Sequence, residues 1–115
     1  MRVVTPLLRK RTISGVTAIS ALVVVAGAQA RNWPDPPAWW ARSAACIHRY
    51  ESTDWHQRGY FSGGYQFLDS TWWSVGGRGR AADASPAEQT YRAWLLYQRV
   101  GWGAWPNTSR MCGLR

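Results

Sequence analysis

A lone acid followed by a glycine-rich, amide-bearing segment carries most of the chemistry this chain offers. Tyr50-Glu51-Ser52 is followed about a dozen residues later by Gly63-Gly64-Tyr65-Gln66-Phe67, and then by Ser70-Thr71-Trp72. A carboxyl beside a groove of amide, hydroxyl and aromatic groups is equipped to protonate the leaving oxygen of a glycosidic bond. Burial favours such a role, because it disfavours the charged form of a carboxyl. Most glycosidases add a second carboxylate as nucleophile or base. Besides Glu51 the chain holds only Asp35, Asp54, Asp69, Asp83 and Glu88. Asp35, Asp69 and Glu88 have capping or pairing roles at helix starts, and Asp83 lies in a connector. Asp54, three residues after Glu51, is the remaining candidate for the groove; its alternative is a solvated turn residue. A mechanism with one carboxylate, in which groups of the substrate replace the missing nucleophile, is the simpler expectation.

Nine tryptophans in 115 residues far exceed ordinary usage, and aromatic faces serve equally to fill a core or to stack on sugar rings. Trp40, Trp94, Trp102 and Trp105 fit the core. Trp55, in a polar loop, is the groove candidate. Trp72 and Trp73 are adjacent on a short helix and cannot share a direction, so one belongs to the core and one to the groove edge. Trp72 is assigned to substrate binding, together with Tyr65. His48 and His56 stand eight apart, one on a helix and one in a loop, without a thiol or acid cluster. That is no metal-ligand pattern, and neither metal nor cofactor is expected. A serine-nucleophile elbow is absent from the sequence.

The elements that must position these residues are short. A helix is predicted from a cap at Asp35, with Pro36 and Pro37 in its first turn, to about Glu51. At 100° per residue, Trp40, Ala44, Ile47 and Glu51 share one stripe, while Arg42 and Arg49 point to solvent. Residues 52–64 lack a helical period and read as a loop or short hairpin, turning at Gly63-Gly64 into a brief strand over Tyr65-Gln66-Phe67. A second helix follows, capped by Asp69 or Ser70 and stopped by Gly76-Gly77. Ser85-Pro86-Ala87-Glu88 is a capping box with proline at the first helical position. The helix it opens runs to about Val100 and is apolar on most sides, as a central helix is. Gly101-Trp102-Gly103-Ala104-Trp105-Pro106 then forms a tight aromatic turn.

The first thirty residues read as a secretory leader: Arg2, Arg9, Lys10 and Arg11, an apolar run from Ile13 to Ala26, and Ala28-Gln29-Ala30 as the cleavage site. A retained N-terminal anchor is the alternative, although the apolar run is short for a membrane span. Cleavage leaves one domain, residues 31–115, outside the cell and without stable membrane insertion. The whole chain carries +8; with four basic residues in the leader, ten arginines face six acids, a net +4. Such a charge suits an anionic wall surface. No nucleic-acid-binding motif is present, so nucleic acid is not an expected partner. Cys46 and Cys112 are the only cysteines. In an oxidising compartment an even pair forms a disulfide, which a core this small needs; two free buried thiols are the alternative.

The spaced set Cys46, Tyr50-Glu51-Ser52, Gly63-Gly64-Tyr65-Gln66-Phe67, Ser70-Thr71-Trp72 and Gly101-Trp102-Gly103-Ala104-Trp105-Pro106 resembles the transglycosylase-like domain of resuscitation-promoting factors, secreted muralytic proteins with a small lysozyme-like fold. The match spans residues 31–115. It implies an α+β, mainly α fold with about three helices, a short β-hairpin and one disulfide. It further implies cleavage of the β-1,4 bond between N-acetylmuramic acid and N-acetylglucosamine, with Glu51 catalytic and Gln66 and Thr71 in the groove. The implied partners of a monomeric domain are peptidoglycan glycan strands and a cell-wall endopeptidase. The family disulfide joins the first helix to the tail, as Cys46 and Cys112 would. Two departures stand out. Many members place the cysteine directly before the glutamate, one helical turn later than Cys46. Many also carry a sugar-facing glutamine where this chain has Val100. The alternative from another class is a non-catalytic wall-binding or signalling module on the same fold.

Overall fold

The computed structural model describes residues 32–115. The leader expected over residues 1–30 lies outside the described residues. Helix α1 is Ala38–Glu51. It follows Pro36-Pro37, and no side chain caps it, so the expected Asp35 cap is not made. A proline pushes the residue before it into extended backbone, and two in a row keep the lead-in extended up to the first helical turn. Trp40, Ala44 and Ile47 form the predicted buried stripe. Glu51 ends that stripe, half-buried.

Helix α2 is Asp69–Ser74. Asp69 lies inside its first turn rather than capping it, and its carboxylate instead accepts from Arg80 Nε at 3.0 Å. Gly76, at φ +87°, takes the chain out of the helix, as the Gly76-Gly77 stop predicts. Helix α3 is Pro86–Val100. The Ser85 hydroxyl accepts from the Glu88 N–H at 3.1 Å, which is the expected cap. Glu88 turns its own carboxylate to Arg92, at 2.7 Å, instead of back to the cap. Helix α4, Pro106–Met111, follows a 3-10 turn at Gly101–Ala104.

The expected strand does not form. Ser62 and Phe67 make a single antiparallel bridge, and no strand occurs among the described residues. The reason lies at Gln66, whose φ of +52° is left-handed and incompatible with extended backbone. Its side chain holds the turn by donating to the Gly63 carbonyl at 2.8 Å. The fold is therefore mainly helical, with a bridged turn in place of a hairpin and one disulfide.

Gln89 anchors that turn from α3. Though fully buried, its amide is satisfied: Oε1 accepts from Gly64 N at 2.8 Å, and Nε2 donates to the carbonyls of Trp55 and Ala84 at 2.8 and 2.9 Å. Close packing on the other side of the turn requires a glycine. A Cβ at Gly64 would lie 2.5 Å from Trp55 and 2.6 Å from His48. Those rings stack at 3.8 Å, so either must shift to admit the extra methyl. Gly64→Ala is expected to cost about 1–3 kcal/mol by overpacking, measured by thermal or urea unfolding.

Below the turn, Trp40 stacks on Trp102 at 5.8 Å and 3°, and Trp94, Tyr97 and Trp105 complete the aromatic centre of the core. The disulfide joins Cys46 of α1 to Cys112 at the end of α4, with Cα atoms 6.0 Å apart.

Candidate active site

The disulfide sets the register between α1 and α4, and the two helices run in opposite directions. Five residues onward from Cys46 is Glu51, and four residues back from Cys112 is Thr108. The two meet: Thr108 Oγ1 donates to Glu51 Oε2. Thr108 is buried, so its hydroxyl holds one carboxyl oxygen in a fixed position. The other oxygen, Oε1, has no hydrogen-bond partner among the described residues.

Glu51 lines a cleft of about 350 Å³ with Phe61, Gln66, Trp105, Asn107 and Thr108. It is the only carboxylate in that lining. A smaller compartment of about 80 Å³ adjoins, lined by Tyr65, Phe67, Leu68, Thr71 and Leu96. Phe61, Gln66, Ala104 and Trp105 border both. The two compartments are thus adjoining parts of one groove, Glu51 lining the larger and Thr71 the smaller. The groove's wall is fixed from below, because Trp105 Nε1 donates to the Tyr65 carbonyl at 2.9 Å.

The structure brings Glu51, Gln66, Thr71 and Tyr65 to this groove. Gln66 Nε2 is already engaged, donating to Gln57 Oε1 at 2.6 Å as well as to Gly63. Tyr65 is almost fully buried, and its hydroxyl lies 3.3 Å from Thr90 Oγ1. Burial pushes the Tyr65 phenol above its ordinary range. It contributes wall rather than a free polar group.

Three expected groove residues lie elsewhere. Trp72 is fully buried, edge-on to Phe67, whereas Trp73 is 56% exposed. The short helix has one inward side, and it is Trp72 that faces it. Trp55 packs its ring on His48 and edge-on to Tyr65, half-buried against the core. Asp54 is exposed and closes a turn, accepting from His56 N at 2.9 Å. None of the three lines the groove. Val100 is 57% exposed at the end of α3 and does not line it either. His48 and His56 bond the carbonyls of Gly64 and Ala82, each at 2.9 Å.

Phe61, Asn107 and Thr108 enter the site without having been singled out as groove residues. Thr108 was legible in principle. A 46–112 disulfide between antiparallel helices directs attention to residues 107 and 108 as the part of the tail beside Glu51.

Residues 38–108 match the transglycosylase-like domain family. The chain is also similar to resuscitation-promoting factor Rpf of Micrococcus luteus, at 38% identity over 109 residues, which is 90% of this chain and 48% of that protein. It is similar to resuscitation-promoting factor Rpf2 of Corynebacterium glutamicum at 41% identity over 58 residues, 48% of this chain and 16% of that protein. The chain thus spans about half, or less, of the length of these curated relatives.

Proposed function

This chain belongs to the transglycosylase-like domain family, and on that premise we propose that it is a muralytic enzyme of the lysozyme-like kind. It cleaves the β-1,4 bond between N-acetylmuramic acid and N-acetylglucosamine in peptidoglycan, and Glu51 is its single catalytic carboxyl. The observation that carries this reading is the groove itself: one carboxylate, pinned through one oxygen by Thr108, in a cleft whose other lining groups are aromatic, aliphatic, amide and hydroxyl.

In the proposed mechanism the glycan lies along the groove from Thr71 to Glu51. Glu51 protonates the bridging oxygen, and the leaving sugar departs as an alcohol. With no second carboxylate in the groove, the positive charge at the anomeric carbon is met by the substrate's own acetamido oxygen, as in substrate-assisted glycosidases. Glu51, now a carboxylate, takes a proton either from the muramyl 6-hydroxyl, closing an anhydro ring, or from water. The first route makes a lytic transglycosylase and the second a hydrolase; one acid at this position serves both. The smaller compartment, walled by Phe67, Leu68 and Leu96, is the size and character to receive an acetamido methyl.

The site works outside the cell on this reading, in the domain of residues 31–115 released by leader cleavage. Incubation of the oxidised protein with purified sacculi tests it. Clearing of the suspension with release of soluble glycan fragments is the expected outcome. Co-sedimentation with sacculi and no soluble fragments would instead identify a wall-binding module.

A further inference from the structure

A second cleft, of about 330 Å³, shares no lining residue with the Glu51 groove. Trp33, Gly76, Arg78, Asp83, Glu88 and Arg92 line it. Two guanidinium groups and two carboxylates therefore face one space beside an indole ring.

The parts are fixed in place. Arg92 is held from four sides: Nε donates to Glu88 at 2.7 Å and Nη1 to the Val75 carbonyl at 2.6 Å, while the guanidinium lies 5.0 Å from the Trp33 ring and 5.6 Å from the Trp72 ring. The loop carrying Arg78 is pinned by adjacent tryptophans. Trp72 Nε1 donates to the Arg78 carbonyl at 3.0 Å and Trp73 Nε1 to the Gly79 carbonyl at 2.7 Å. Gly76 lets the loop approach this closely, since a Cβ there would come within 2.8 Å of Arg92.

The cleft retains free hydrogen-bonding capacity. Arg78 is exposed, and its side chain has no partner among the described residues. Asp83 receives Arg58 on Oδ1 at 2.5 Å and Glu88 receives Arg92 on Oε2. The second oxygen of each receives no side-chain hydrogen bond among the described residues, although the Arg80 backbone also favours the charged Asp83 carboxyl. Arg58 holds the Asp83 carboxyl below its usual range, so that oxygen is charged at neutral pH.

We propose that this cleft binds an amino-acid zwitterion, an ammonium and a carboxylate on one carbon, at the distal end of a diamino-dicarboxylate side chain in a peptide. The carboxylate docks on Arg78 with Arg92 beside it, and the ammonium on the free oxygens of Asp83 and Glu88. The aliphatic part lies on Trp33. A purely anionic ligand would meet two carboxylates here, and a purely cationic one two guanidiniums. A ligand of both signs satisfies all four. That the peptide is the stem carried by peptidoglycan rests on the function proposed above; the binding chemistry does not.

The test is an NMR titration of the oxidised protein, read at the Trp33 indole N–H. The probes are the tripeptide Ala-γ-Glu-diaminopimelate and the same peptide with its distal amine acetylated and distal carboxyl amidated. The free tripeptide should shift Trp33 saturably, the blocked one should not, and Arg78→Ala should weaken binding about tenfold or more. Absence of a saturable shift, equal binding of the blocked peptide, or unchanged affinity in Arg78→Ala overturns the proposal. The probe contains no glycan, so the result does not depend on whether Glu51 cleaves one.

Discussion

Glu51→Gln is expected to lower the rate of glycan release from purified peptidoglycan by about 10²–10⁴-fold or more, the range assigned to a positioned general acid. The upper end is expected here, because no second carboxylate lines the groove and the same group serves both proton transfers. The substitution is nearly isosteric. Glutamine keeps a carbonyl oxygen to accept from Thr108, so the contact between α1 and α4 survives. Circular dichroism and melting temperature should match those of the native protein. A large loss of rate with an intact fold assigns the chemistry to this carboxyl. An unchanged rate removes Glu51 from the mechanism.

The second large effect is expected on reduction of Cys46–Cys112. The bridge closes a loop with a sequence separation of 66, for which the chain-entropy relation gives about 4 kcal/mol of stabilisation. In a domain this small, each kcal/mol moves the melting temperature by about 4–8 °C, so reduction should lower it by roughly 15–30 °C. Activity should fall with it. Helix α4 carries Thr108 and follows directly on Trp105, so releasing the tail from α1 dismantles the side of the groove that holds Glu51. Thermal melts with and without reductant, beside a Cys46→Ser/Cys112→Ser variant, measure the effect. Overlapping melts would show that the bridge is dispensable.

These two effects concern the parts most legible in the sequence. The 3.6-residue spacing of Trp40, Ala44 and Ile47 placed Glu51 at the inward edge of α1, and Ser85-Pro86 marked the start of α3. Those signals are local: periodicity and cap chemistry are carried by neighbouring residues. What escaped is carried by contacts far apart in the chain. Trp55 reads as a groove residue in a polar loop, but His48 offers it a ring to stack on, and stacking draws it inward. Trp72 and Trp73 are indistinguishable until packing decides which face of a six-residue helix is covered. The strand at Tyr65-Gln66-Phe67 fails because Gln66 takes a left-handed conformation, held by a side-chain bond to Gly63 that composition does not announce. Gln89 looks like one polar residue on a largely apolar helix, yet it is the post on which the glycine turn hangs.

The placement of Val100 bears on the departure noted from related sequences. An apolar residue where relatives often carry a sugar-facing glutamine raises a doubt about substrate contacts. In this fold the Val100 side chain is exposed and outside the Glu51 groove, whose polar lining is Thr71, Gln66, Asn107 and Thr108 beside Glu51.

The most direct test of the central claim is mass spectrometry of the soluble products released from purified peptidoglycan. Muropeptides are expected with new ends at the bond between N-acetylmuramic acid and N-acetylglucosamine, in anhydro or reducing form, which differ by one water. They should appear with the native protein and disappear with Glu51→Gln. Products cut only in their peptides, or the same new glycan ends from Glu51→Gln, would contradict it.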